Sequence, residues 1–315
     1  MAIDKVIIIG LGQIGKRHLQ AISHMNNLDM IVCGDIDNNA MSSMLPFAKK
    51  NNLNINILKY EYTIENMVKH IDSRAVVISA MTAKGRGALL AEIITHKPCA
   101  IISEKPLSQN TDEYKRVMSL SSQYNVPVYV NFTRHMYPYY KQIYSALKNS
   151  KNISLSAFFP GGIACIGIHM LELAFWLLNE NKYKLIYSKK NEVYETKRKG
   201  FYDFSGELAV DINGSMCFFR SDRDFKPAII NIVDEHQHMA IYEAIGKMSV
   251  FNYDASDLKT EHITNLYTSQ LTDNVIDDIH QNICPQLPDI FQSYAAHAAL
   301  FELIDKHNMT GLNIT

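Results

Sequence analysis

Val6-Ile7-Ile8-Ile9 runs directly into Gly10-Leu11-Gly12-Gln13-Ile14-Gly15 and then into an amphipathic stretch that passes Leu19. A buried strand, a turn with glycines at GxGxxG spacing and a helix are what a dinucleotide-binding βαβ unit requires at its first crossover. Each glycine has a separate reason. Gly10 permits the tight turn, Gly12 lets backbone approach a pyrophosphate, and Gly15 lets the helix close on the strand. The anion site is then built from backbone N–H groups and the positive end of the helix dipole, with Gln13 and Ile14 opening the helix beside it. Lys16 and Arg17 are expected at the surface.

The next apolar run, Met30 to Gly34, ends in Asp35, twenty residues beyond Gly15. A carboxylate there is placed to accept the adenosine ribose hydroxyls. Ile36 follows, with no adjacent Arg or Ser cluster to greet a 2'-phosphate, so the pattern favours NAD and leaves NADP open. Strands are expected at 55–58, 75–79, 99–103 and 126–132, alternating with helices at 63–69, 84–95 and 110–124. Such alternation builds a doubly wound parallel sheet, the α/β Rossmann class, with ligand at the carboxyl ends of its strands. Ser79 and Ser103-Glu104-Lys105-Pro106 fall at two of those ends. Pro106 restricts the backbone of Lys105 and so aims its ammonium.

With 315 residues the chain is long enough for two domains. Beyond residue 150 short β-type runs replace the alternation, at 153–159, 185–188, 207–211, 216–219, 229–233 and 239–242, with a helix over 167–178 and another over 288–306. The expectation is a dinucleotide-binding domain over 1–130. An α+β domain over 131–315 follows it, with an open-faced, mostly antiparallel sheet for substrate and oligomerisation. A formal net charge of -1 with interspersed signs points away from nucleic acid and anionic membranes, and no apolar run approaches a membrane span. Five scattered cysteines without CxxC spacing read as reduced thiols, and the protein is expected in the cytoplasm. No metal is expected, because His236 with His238, and Asp277-Asp278 with His280, lack a further ligand at sensible spacing.

GxGxxGxRH at Gly10 to His18, Asp35, Glu104-Lys105-Pro106, Asn131-Phe-Thr-Arg134, and Gly161-Gly162 followed by Gly167-Ile-His169 together resemble the Gfo/Idh/MocA oxidoreductases. The resemblance implies NAD(P)-dependent oxidation or reduction of a sugar, polyol or nucleotide sugar, in homodimers or homotetramers paired through the C-terminal sheet. It makes Lys105 and His169 the catalytic pair, with Arg134, His135, Tyr137 and Tyr140 lining the substrate cleft. Glu104 and Ser79 join Gly10, Gly12, Gln13, Ile14, Gly15, Asp35 and Lys105 as cofactor-binding positions. Two departures stand out. Ala80, Met81 and Gly85 replace the family's Thr-Pro and following His, and Cys165 occupies the place of an aspartate beside the catalytic pair. Cys165 also keeps open an alternative, a weakened member that binds cofactor and a sugar-like ligand as a sensor or assembly partner.

Overall fold

Unbroken Val and Ile runs suit strands buried on both faces, and the N-terminal sheet is of that kind. In the computed structural model, which describes residues 3–226 and 228–314, its strands are β1 (Lys5–Ile9), β2 (Met30–Gly34), β3 (Leu58–Glu61), β4 (Ala75–Ser79), β5 (Ala100–Ser103) and β6 (Val128–Val130). All pairs are parallel, in the order β3-β2-β1-β4-β5-β6. The order reverses between β1 and β4, and a ligand crevice opens at such a switch point. The crossovers carry α1 (Gln13–Ile22), α2 (Asn38–Ser42), α3 (Met44–Lys50), α4 (Ile64–Val68), α5 (Arg86–Thr95) and α6 (Thr111–Tyr124). Residues 55–57 form a 3-10 turn and not the expected strand, because the Asn54 side chain accepts the N–H of Asn56 and closes a turn. Pro46 sits in the first turn of α3, where its missing N–H costs no helical hydrogen bond.

The second sheet has eight strands: β7 (Ser154–Pro160), β8 (Lys184–Glu195), β9 (Tyr202–Ile212), β10 (Ser215–Asp222), β11 (Ile229–Val233), β12 (Gln237–Tyr242), β13 (Lys247–Asn252) and β14 (Asp257–His262). Their order is β14-β13-β12-β11-β7-β10-β9-β8, antiparallel except for the β7/β10 pair. Leu155, Ala157 and Phe159 of β7 and Cys217 and Phe219 of β10 are buried on one face. With this sheet belong α7 (Pro138–Leu147), α8 (Ile168–Leu177) and α10 (Tyr294–Lys306).

The chain passes between the two units after Thr133, and a single passage is not enough. Leu266–Phe291, with α9 (Thr272–His280), returns to the first unit before the chain rejoins the second. The helix expected from Pro288 therefore begins only at Tyr294. Ile290 N–H donates to Val128 O at 2.8 Å and Val130 N–H to Pro288 O at 2.9 Å, so this segment satisfies the otherwise open edge of β6. Ile290 and Tyr294 share helical spacing in the sequence, yet the unpaired strand edge outweighs it. Among the described residues no helix is long and apolar enough to cross a membrane.

Candidate active site

A Cβ on Gly15 would strike the carbonyl oxygen of Gly10, so α1 and β1 can meet only over glycine. At Gly12 a Cβ would meet nothing within 4 Å, and the backbone there borders open space. Gly12 caps α1 without a side-chain hydrogen bond, and no acidic residue occupies the first turn. The amides at the start of α1, beside exposed Gln13 and Ile14, are thus available to an outside anion, which fits a dinucleotide pyrophosphate. Asp35 does more than stand ready for a ribose. One of its oxygens accepts the Leu11 N–H at 2.6 Å and the other the Asp37 N–H at 2.9 Å, so it pins the glycine turn. Each oxygen retains lone-pair capacity for a ribose hydroxyl.

Ser79 and Glu104-Lys105 come together at the carboxyl ends of β4 and β5. Ser79 is buried and its carbonyl accepts the Glu104 N–H at 3.0 Å, while its hydroxyl makes no hydrogen bond among the described residues. Glu104 is held at its main chain and its side chain. Its carbonyl accepts from Arg86 Nη1 at 2.7 Å, and its Oε1 accepts from Asn131 Nδ2 at 2.5 Å and lies 3.4 Å from His18 Nε2. Burial works against the charged carboxyl, but His18, then Asn131 and Lys105, outweigh it and hold Glu104 below the usual glutamate range. Arg86, buried at the first position of α5, also donates to the carbonyls of Pro106, at 2.5 Å, and Met81. The Lys105–Pro106 peptide that it braces is cis. A sequence signal for Arg86 existed: a cation in the first turn of a helix opposes the helix dipole, so it must be held by something else.

In the second unit Arg134 is committed before any ligand arrives. Its Nε and Nη2 donate to the two oxygens of Glu243 at 2.8 and 2.7 Å, and Tyr140 donates to the same carboxylate at 2.8 Å. Tyr139 donates to Asn265 Oδ1 at 2.8 Å, and Asn265 Nδ2 donates to the Glu243 carbonyl at 2.9 Å. Burial disfavours charge on both partners, yet their mutual attraction wins, raising the Arg134 pKa and lowering that of Glu243. The structure brings Arg134, Tyr137 and Tyr140 together, with the Tyr137 and Tyr140 rings 6.3 Å apart. His135 turns elsewhere. Its Nε2 lies 2.6 Å from Glu172 Oε1, and its ring stacks on Trp176 at 4.0 Å.

Cys165 lies in a π-turn, Ile163–Gly167, and His169 is the second residue of α8 just beyond it. The turn is anchored by a buried carboxylate that the sequence reading passed over. Asp203 of β9 accepts the N–H of Ala164 at 2.9 Å and of Cys165 at 3.2 Å. The requirement for Gly162 follows, because a Cβ there would collide with the Asp203 carboxylate. Among the described residues no group of three or more His, Cys, Asp or Glu side chains is placed to hold a metal. His238 Nε2 faces Asn231 Oδ1 at 3.1 Å, and His280 Nδ1 accepts the Ile3 N–H at 3.1 Å.

Residues 5–132 match the family model described as an oxidoreductase family with an NAD-binding Rossmann fold. The uncharacterized oxidoreductase YrbE of Bacillus subtilis (strain 168) is 24% identical over 264 residues, covering 78% of this chain and 68% of that protein. An oxidoreductase from Agrobacterium radiobacter, crystallised with NAD+, L-tartaric acid and magnesium, shares the fold with a TM-score of 0.77 at 13% identity, over 98% of this chain and 97% of that one. The UDP-N-acetylglucosamine 3-dehydrogenase GnnA of Acidithiobacillus ferrooxidans shares it with a TM-score of 0.73 at 11% identity, over 95% of each chain.

Proposed function

We propose that the chain, whose residues 5–132 match the model of an oxidoreductase family with an NAD-binding Rossmann fold, transfers a hydride between a nicotinamide cofactor and a carbinol or carbonyl carbon of a sugar, polyol or nucleotide sugar. The observation that carries this reading is the Glu104-Lys105-Pro106 loop. Arg86, Ser79 and Asn131 hold it at the carboxyl end of β5, on the side of the sheet where β1 and β4 open the switch point. A lysine at the edge of a sheet needs no such bracing to remain solvated; one that must meet a developing charge does.

The first-turn amides of α1 would hold the cofactor's pyrophosphate, and Asp35 its adenosine ribose. When bound, the nicotinamide supplies the hydride acceptor in oxidation and the donor in reduction. In oxidation Lys105 stabilises the alkoxide oxygen by charge-assisted hydrogen bonding, and the family resemblance gives the hydroxyl proton to His169, which returns it in reduction. Purified protein should change nicotinamide absorbance with at least one member of a panel of polyols, sugars and nucleotide sugars. Silence across the panel, together with no response of NADH fluorescence to the protein, would sink the reading.

Asp35→Ala should weaken NAD binding by about 1–3 kcal/mol, since it removes a charged acceptor for the ribose hydroxyls and the tether on Leu11. NADP should lose less, because the same carboxylate repels a 2'-phosphate. Equal losses for both cofactors in fluorescence titrations would assign Asp35 to the turn alone.

The assembly expected of the chain is a homodimer or homotetramer formed through the second sheet. Cross-strand register puts Ala209, Phe218, Ser156, Asn231 and Ala240 in one row across β9, β10, β7, β11 and β12, with Phe158, Ile229 and Met216 on the same face. None of these is buried, and Phe158 and Phe218 meet at 6.1 Å. A half-exposed sheet face that carries Phe158, Phe218, Met216 and Ile229 among polar neighbours is suited to self-association. Phe218→Glu should convert the assembly to monomers in sedimentation velocity; an unchanged sedimentation coefficient would remove the sheet from the interface. The five cysteines are free thiols, the state in which a reducing compartment such as the expected cytoplasm would keep them.

A further inference from the structure

His18 is 1% exposed on α1, and its imidazole lies between two side chains from distant parts of the chain. Nδ1 is 2.8 Å from Thr272 Oγ1, and Nε2 is 3.4 Å from Glu104 Oε1. The partners fix its protons. Thr272 spends its hydroxyl proton on the Thr268 carbonyl at 3.0 Å, so Oγ1 can only accept, and Nδ1 must carry an N–H. Glu104 Oε1 already accepts from Asn131 Nδ2 at 2.5 Å. A lone pair on Nε2 would then face a carboxylate oxygen; attraction requires an N–H there as well. Both ring nitrogens then serve as donors, Nδ1 to Thr272 and Nε2 to Glu104, at a place where water does not screen the contact.

The charged groups nearby are few in kind. Beyond Glu104 lie Arg86, which holds the Glu104 carbonyl, and Lys105, its neighbour in the chain. On α9, which packs on α1, stand Asp273, Asp277, Asp278 and His280. Among the described residues only Glu104 and Thr272 hydrogen-bond the His18 ring.

Building on the oxidoreductase reading, we propose that His18 is a positioning residue for Lys105: its Nε2–H holds the Glu104 carboxylate, and Glu104 sets the peptide from which Lys105 projects. The Thr272 contact serves to hold the ring. This separates the two nitrogens by role, one orienting the imidazole and the other acting on the site, as in the pairing of an oriented histidine with a functional group.

Two variants separate the nitrogens. Glutamine places its amide near the Nε2 position and keeps a donor for Glu104, whereas asparagine places it near Nδ1 and keeps only the Thr272 contact. His18→Asn should lower kcat by roughly 10- to 100-fold, as small displacements of a positioned group do. His18→Gln should stay near the wild-type kcat, and NADH affinity should hold in both. In the wild type at neutral pH, nitrogen NMR of 15N-histidine-labelled protein should show both ring nitrogens of His18 protonated, the signal being identified by its loss in His18→Gln. The reverse ranking of the variants, or an unprotonated Nε2, overturns the proposal. If the wild type turns over no substrate, the oxidoreductase reading fails, and the nitrogen signals alone decide the ion pair.

Discussion

Lys105→Ala is expected to lower turnover roughly 100-fold or more while leaving NADH affinity nearly unchanged, because removing a donor aimed at developing oxyanion charge has typically about that effect. The split between kcat and binding follows from where the two jobs are done. Cofactor phosphates would be met by amides of α1 and the ribose by Asp35, none of which depends on the Lys105 side chain. The loop itself should survive the substitution, since Arg86 grips the carbonyls on either side of Lys105 and Asn131 grips the Glu104 carboxylate. An alanine variant that turns over the true substrate at the wild-type rate would take Lys105 out of the chemistry. One that loses NADH binding as well would instead assign the residue to the architecture of the cofactor site.

The N-terminal unit was legible in the sequence because its constraints are local. Gly15 is demanded by a carbonyl five residues away, β4 and β5 announce themselves by unbroken apolar composition, and Asn110 caps α6 through the N–H of Glu113. What escaped is what sequence distance hides. Glu243 lies 109 residues from Arg134, and Thr272 lies 254 residues from His18, so no window of periodicity contains either pair. Arg134 was assigned to substrate by resemblance; the structure adds that two arms of its guanidinium are already bonded to Glu243. β14 was missed for a different reason. Every residue from Asp257 to His262 is exposed, so this edge strand has no buried face to print an alternation on the sequence. The edge of β6 misled in the opposite sense, converting the start of an expected helix into its missing partner.

The bond between Arg134 and Glu243 carries the largest expected stability effect. Glu243→Ala would leave a guanidinium that is 15% exposed facing Tyr140 and a vacated carboxylate site, and breaking a buried pair in this way costs about 3–5 kcal/mol. For a unit of this size that corresponds to a fall in Tm on the order of 10 °C. Glu243→Gln should lose less, because its amide oxygen still accepts from Arg134 or Tyr140. The same pair predicts an acid limit. Burial would raise the Glu243 pKa, but Arg134 overrides it, so the folded-state value lies below the unfolded one. A carboxylate of that kind contributes its full stability above the unfolded pKa of about 4.3 and loses it as the pH falls through the lower folded value. The wild type should therefore lose Tm steeply below about pH 4, and part of that loss should be missing in Glu243→Gln. Tyr139 and Tyr140 do not compete in this range, since burial and then Glu243 push both phenols up and keep them as donors. Thermal unfolding at neutral and acidic pH checks both points. A Glu243→Ala protein that melts with the wild type would mean that Arg134 finds solvent once released, and that the pair is an ordinary surface contact in energetic terms.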